Sequence, residues 1–194
     1  METFPLFEVE APPPAPVAEG EEATEATEEP PAPALVVVVR GLPGPQGSKR
    51  HVGGGRMIES SAKVKPWREA VVWAAVAART RNKGFTKLDG PLAVDMVFSF
   101  DRPKGHMGSG RNAGLVRPSA PVRPHVKPDL SKLVRSTEDA LTTAGVYGDD
   151  ALIVEYRQLG KHYTTDHGVV PGVLDGPGCT VRLWPIERPK AVDE

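Results

Sequence analysis

Lys127-Pro-Asp-Leu-Ser-Lys-Leu-Val-Arg-Ser-Thr-Glu-Asp-Ala-Leu-Thr-Thr-Ala-Gly-Val-Tyr-Gly-Asp-Asp150 carries a helix, both of its ends and most of the chain's candidate chemistry. Leu133, Val134, Thr137, Ala140, Leu141 and Ala144 recur at the three- and four-residue spacing of one helical face. The spacing predicts a helix over Leu130–Ala144 with that face turned inward. Pro128 precedes Asp129 at the entrance, where free amides and the helix dipole favour an anion. Gly145 supplies the stop, since glycine readily takes the conformation that follows a helix C-terminus. The pair Asp149-Asp150 comes after the helix has ended.

Working outward, Leu152–Leu159 reads as a strand, Gly160–Gly178 as a loop and Cys179–Leu183 as a final strand. Upstream, Pro91–Asp101 alternates Leu92, Val94, Met96, Phe98 and Phe100 with Asp95, Ser99 and Asp101, the pattern of a half-buried strand. Between that strand and the helix lies Arg102–Pro128, a long segment of Gly, Pro and cations. Structureless stretches of that length in a compact domain usually serve a function, and its charge suits phosphate contact. An earlier helix begins near Lys65-Pro66-Trp67, with Pro66 at the first helical position. Its stripe of Trp67, Ala70, Val71, Ala74, Ala75 and Ala78 reads as core packing, and Gly84 ends the run. The β-branched Leu35–Arg40 reads as a buried strand, followed by the loop Gly41-Leu-Pro-Gly-Pro-Gln-Gly-Ser-Lys-Arg50. Gly53, Gly54 and Gly55 mark a turn before a short strand at Arg56–Glu59; this cluster lacks the strand-and-helix context of a nucleotide loop. The order of elements gives a small α+β domain.

The chain has 194 residues, enough for one modest core. Met1–Ala34 holds nine Glu, eight Pro and no Lys or Arg, with only Phe4, Leu6 and Phe7 as large apolar residues. A segment of that composition buries too little to offset its ordering entropy, so 1–34 is expected to be a disordered acidic tail, 35–186 the folded domain and 187–194 a flexible end. Removing nine of the 25 acidic residues leaves 16 against 24 basic ones, so the body carries +8 although the chain as a whole carries -1. Such a body attracts polyanions, nucleic acid above all, though a solvated basic surface has the same composition. The tail is either a solubiliser or a mobile competitor for the same basic surface. Cys179 is the only cysteine, which excludes an internal disulfide and a cysteine-based zinc cluster. His51, His106, His125, His162 and His167 lack zinc-ligand spacing and are assigned no catalytic role. Without a basic segment followed by an apolar one at the start, or a membrane-length apolar run, a cytoplasmic protein is expected.

Acidic residues inside a DNA-attracting body call for a reason, and a divalent cation is one. Magnesium takes oxygen ligands and, held by carboxylates, polarises a phosphate and activates water. Spacing alone favours the plainer reading, Asp129 as an N-cap and Asp149-Asp150 as a solvated turn.

The segment resembles the RusA-type crossover (Holliday) junction endodeoxyribonucleases of phages and prophages. The resemblance runs over about Leu35–Leu183 and is densest in Lys127-Pro128-Asp129, Asp139-Ala140-Leu141-Thr142 and Asp149-Asp150; the Gly41–Arg50 loop and the Trp67 helix share in it. It implies a small mixed sheet with two main helices, a homodimer, and a Mg²⁺-dependent nuclease (Mn²⁺ as substitute) that nicks four-way junctions symmetrically. Asp129 matches the family's first catalytic carboxylate and Asp150 its last, with Asp149 beside it as a further metal candidate. Two positions depart from the pattern: Ser131 stands where the family usually has its middle metal-binding Asp, and Arg135 where it has a catalytic Lys. Arg135 can still clamp a phosphate. Ser131, Arg135 and Glu138 fall on one helical face, so Glu138 is a candidate for the missing carboxylate; the alternative is a surface Glu paired with Arg135.

About 15 helical residues separate Asp129 from Gly145, which puts the two ends roughly 22 Å apart. A site shared between subunits follows, with Asp129 of one chain meeting Asp150 of another across a two-fold axis. Phosphate contacts are expected from Lys49, Arg50, Lys104, Arg111, Arg117, Arg123, Lys127 and Lys132, and no membrane or nucleotide cofactor is expected. The rival readings are a branched-DNA-binding protein weakened by Ser131 and a nuclease for flaps or single strands.

Overall fold

The computed structural model describes residues 31–47, 49–51, 57–59 and 63–187. Most of the acidic segment 1–34 and of the end 187–194 lies outside the described residues, as do the side chains of Lys49 and Arg50 and the Gly53–Gly55 cluster. Four strands form one mixed sheet: β1 (Leu35–Arg40), β4 (Leu92–Phe100), β5 (Ile153–Tyr163) and β6 (Gly178–Pro185), in the spatial order β1-β6-β4-β5. A separate antiparallel pair is made by β2 (Lys49–His51) and β3 (Met57–Glu59). Strand β6 runs antiparallel to both of its neighbours, whereas β4 and β5 are parallel. A parallel pair needs a crossover, and helix α2 (Leu130–Thr143) lies within the one that joins these two strands. No helix among the described residues is long and apolar enough to cross a membrane.

Helix α1 (Val64–Arg81) and α2 cover one face of the sheet. Trp67, Val71 and Ala75 of α1 and Leu133, Ala140 and Leu141 of α2 close over Val37, Val39, Leu92, Val94, Met96, Phe98, Val181 and Leu183. All six positions expected on the inner face of α2 are buried. Thr137 is satisfied there because its hydroxyl accepts from the Trp67 indole N–H (3.1 Å) and donates to the Leu133 carbonyl (2.9 Å). Ala144 ends the helix, and Gly145, at φ +69°, turns the chain back. The Gly145 amide donates to Thr142 and the Val146 amide to Leu141, the paired bonds that satisfy a helix C-terminus, while buried Val146 seals the end.

Four sequence expectations are corrected. Pro66 is the third residue of α1; any position in a first turn suits proline because those amides have no helical acceptor. Strand β1 is an edge strand with one dry face: Leu35, Val37 and Val39 are buried, while Val36 and Val38 are exposed. Strand β4 is buried on both faces, including Asp95 and Ser99. The segment read as a loop supplies the cover, since the Leu174 amide donates to Ser99 Oγ (2.9 Å) and Gly172 lies against Val97. Arg182 of β6 meets Asp95 at 3.2 Å. Finally, β5 continues through Gly160 to Tyr163, with Gly160 lying against the Arg123 guanidinium and the His162 ring. Pro31 and Ala34, grouped with the tail in the sequence, bond to the domain: Trp184 Nε1 donates to the Pro31 carbonyl and the Ala34 amide to Leu183.

Candidate active site

Asp129 stands at the N-cap of α2 with extended backbone, yet its side chain makes no capping bond. It turns outward, half exposed, to Lys132 Nζ at 3.3 Å. The carboxylate therefore remains available to a ligand. Lys161, near the end of β5, fixes the backbone that presents it: its ammonium donates to the carbonyls of Val126 (2.8 Å) and Pro128 (2.9 Å). Burial holds the Lys161 pKa below the ordinary lysine value, against the opposing pull of Asp129. Sequence reading missed Lys161 because it ended the strand at Leu159; continuing the strand through Gly160 would have found it.

A cleft of about 690 Å³ opens beside Asp129, lined in part by Leu42, Pro43, Gln46, Phe100, Lys127 and Lys132. Its wall from Leu42 to Gly47 is hydrogen-bonded to α2 and packs against the start of α1. Ser136 Oγ donates to the Gly44 carbonyl (2.6 Å), and the Gln46 amide donates to the Lys132 carbonyl (2.9 Å). Gly44 has no room for a side chain, since a Cβ there would overlap the Lys63 carbonyl oxygen and sit 2.8 Å from Trp67 Cβ. Ser136 was also missed, because a serine next to a helical apolar stripe gives no sign of its partner.

The other carboxylates lie along the C-terminal half of α2 and in the turn beyond it. Asp149 Oδ1 accepts from the Ala151 amide (2.8 Å) and caps the 3-10 turn Asp150–Leu152. Asp150 itself is exposed. Glu138, on the flank of α2, is half-buried, and Tyr156 of β5 donates its hydroxyl to Glu138 Oε1. Tyr147 donates to the Glu138 backbone carbonyl at 3.2 Å. Burial raises the Glu138 pKa; the Tyr156 hydrogen bond opposes this, Asp150 and Asp139 add to it, and Arg135 opposes it. Burial, helped by the Glu138 charge, raises both phenols above the ordinary tyrosine range. Glu138 is thus half-buried and bonded to Tyr156, with Arg135 near enough to act on its pKa.

Asp129 and Asp150 are thus on opposite ends of the α2–β5 layer. Asp129 adjoins the Lys161 end of β5, and Asp150 leads into Ile153 at the other. Eight residue steps of strand put those ends roughly 26 Å apart. Ser131 and Arg135 are exposed on the helix between them.

The expected phosphate-binding cations are dispersed. Lys104, Arg111 and Arg117 are exposed in the long loop, where Arg117 Nε donates to the Met107 carbonyl (2.7 Å). Arg123 is partly engaged by His162 Nε2 (3.2 Å). Lys127 and Lys132 line the cleft beside Asp129. The buried His162 ring has Asp166 on its other side, 3.8 Å away. Burial lowers its pKa first and Arg123 second, with Asp166 opposing.

Residues 41–170 match the family described as endodeoxyribonuclease RusA. The chain belongs to the RusA endodeoxyribonuclease family. No curated protein matches it. The match spans Asp129, Asp150, Arg135, Glu138 and the cleft loop, while the β1–β6 pair flanks it on either side. The protein is accordingly an endodeoxyribonuclease of the crossover-junction-resolving type, and DNA is its partner. Its mixed four-stranded sheet and two helices agree with the α+β fold expected from the sequence. Among the described residues of one chain, no three His, Cys, Asp or Glu side chains gather to hold a metal ion.

Proposed function

We propose that this RusA-family enzyme is a magnesium-dependent homodimer that resolves four-way junctions by paired symmetric nicks, each site being shared between two chains. The carrying observation is the separation of Asp129, at the N-cap of α2, from Asp150, in the turn beyond its C-terminus. An antiparallel pairing of two copies puts the Asp129 end of one beside the Asp150 end of the other, twice, related by a two-fold axis. The surface needed for such pairing is present. Strand β5 is an 11-residue edge strand, with Val154 and Leu159 exposed on it. Uncovered strand edges of that length are usually paired or shielded.

In this arrangement Asp129, Asp150, its neighbour Asp149 and Glu138 offer oxygen donors of the kind magnesium takes, and an ion held by them would polarise a phosphodiester. Glu138 takes the place of the carboxylate that Ser131 lacks. Arg135, exposed between the two ends, faces the phosphate and stabilises its developing charge. Lys127 and Lys132 hold the strand on the Asp129 side, and the cations of the long loop hold the arms, along with Lys49 and Arg50. Two equivalent sites suit a junction with two equivalent strands to cut.

Cleavage of a labelled synthetic four-way junction, compared with linear duplex of the same sequence, tests this reading. Paired nicks on the junction alone, lost with chelator and restored by Mg²⁺, are expected. Tight binding without cutting, or cutting that is indifferent to junction structure, contradicts it.

A further inference from the structure

Strand β4 ends at Phe100 and α2 is entered at Asp129, and both residues line the same cleft. A short connection would join them, yet residues 101–128 lie between. That stretch carries Arg102, Lys104, Arg111, Arg117, Arg123 and Lys127 against a single acid, Asp101. It also has a built shape. Met107 bridges Val116 and Gly108 bridges Ala113. The Arg117 amide donates to the His106 carbonyl (2.9 Å) and the Gly108 amide to the Leu115 carbonyl (2.8 Å). Residues 106–117 therefore fold back on themselves as a short finger. Gly110 and Gly114, at φ +59° and +87°, turn its tip, and a Cβ on Gly108 would overlap the Asn112 carbonyl oxygen. Residues 109–117 are exposed, Arg111 among them.

The root of the finger is braced. The Arg102 side chain is only 6% exposed. Its Nε donates to Thr165 Oγ1 (3.0 Å), its Nη1 donates to the Pro121 carbonyl (2.9 Å), and its guanidinium lies 4.0 Å over the Tyr163 ring. The His106 ring meets Tyr163 edge-on, with centroids 5.8 Å apart. Ordering an exposed hairpin costs conformational entropy, so a buried arginine spent on its root points to a use for a tip held in one place. Tyr163 follows two strand positions after Lys161, whose ammonium holds the Pro128 carbonyl next to Asp129. From Lys161 through the two rings to the end of Arg111, the path is at most roughly 35 Å. That is about one turn of duplex, or ten base pairs.

We propose that this finger grips one duplex arm of the junction by its phosphates, within about a turn of the cut. Arg111 clamps a phosphate, and Ser109, Asn112 and the tip amides add hydrogen bonds that carry no sequence information. The small residues of the tip, Gly110, Ala113 and Gly114, let the DNA backbone come close. The inference rests on the reading of the Asp129 end as part of the cutting site. It adds a requirement for intact duplex beside the branch point, which scattered cations alone would not impose.

The test measures binding of the full-length protein to four-way junctions whose hairpin-capped arms are shortened stepwise from about 20 base pairs to about five, either side of one turn. The wild type is expected to lose about tenfold in affinity at one arm length of ten base pairs or fewer, the loss of a charge-assisted contact. Arg111→Ala, at an exposed tip, brings the ratio of long-arm to short-arm affinity close to one. Gly108→Val, which keeps every cation but cannot close the finger, does the same. A wild-type ratio near one, or a ratio that either variant retains, overturns the inference and leaves the proposed function standing. Failure to bind any junction overturns the proposed function and the inference with it. A second measurement needs no variant. Hydroxyl-radical footprinting of the wild type on a long-armed junction without Mg²⁺ should protect sugars along one arm out to about ten base pairs. Protection confined to the branch point overturns the inference.

Discussion

The two ends of α2 present carboxylates in opposite settings. At one end Asp129 is half exposed, makes no cap, and is surrounded by lysines at the mouth of an open cleft. Toward the other, Glu138 on the flank of the helix is half-buried under a tyrosine hydroxyl, with a second tyrosine bonded to its backbone and Asp150 close enough to raise its pKa. In the proposed site the first end receives the charged strand. The second is built to hold one carboxylate still. That division is the physical argument for the proposed site assembled from two chains.

The largest expected effect treats the ends as equals. Asp129→Asn and Asp150→Asn should each lower junction cleavage by more than about 10²-fold, since losing a group one step removed from a metal already costs 10- to 100-fold. Both side chains are exposed, so the thermal midpoint should stay put. A variant that cuts normally removes its end from the site. Glu138→Gln sharpens the comparison further. It should abolish magnesium-dependent cutting, and Ser131→Asp, which restores a carboxylate at the position where the family usually has one, should rescue it. Unchanged cutting by Glu138→Gln would make the Tyr156 contact purely structural.

Stability separates the ends by smaller amounts. Gly44→Ala forces a methyl group against the Lys63 carbonyl and should cost about 1–3 kcal/mol in chemical denaturation, in the range of core overpacking. Tyr156→Phe removes one hydrogen bond to Glu138 and should cost about 1 kcal/mol. If the two costs are reversed, the Asp129 end is the softer one and the cleft wall is not rigid.

The smallest effect is one of pH. Burial and Arg123 depress the His162 pKa below its ordinary 6.5, so the unfolded chain binds the proton more readily than the folded one. The stability contributed by the neutral ring is therefore present above 6.5 and is lost as pH falls through that value toward the depressed one. Wild-type protein should lose stability across that window, and His162→Gln should lose less. Parallel curves would mean that the Arg123–His162–Asp166 contacts do not hold the long loop to β5.

Much of this was legible in the chain. The period of Leu133 to Ala144 gave the inner face of α2 because helical spacing is local, and Gly145 gave its end for the same reason. The alternation in Leu92–Phe100 gave a strand but not its burial on both sides, since the cover comes from Gly172 and Leu174, more than seventy residues away. Asp129 and Asp150 were visible as residue types in a familiar spacing. That Asp129 does not cap its helix, and that Glu138 is held by Tyr156, depends on pairings between α2 and β5 that no local pattern encodes. Lys161 and Ser136, which position the Asp129 end, were hidden in the same way.

The central claim is that each cutting site draws on both chains. It is tested most directly by mixing Asp129→Asn and Asp150→Asn proteins under conditions that exchange subunits, then assaying junction cleavage. In a mixed dimer one site carries both substitutions and the other carries neither. The account expects two inactive preparations to regain activity on mixing, with products nicked in one strand rather than two. A mixture as inactive as its components, with exchange confirmed, would place each site within a single chain and contradict it.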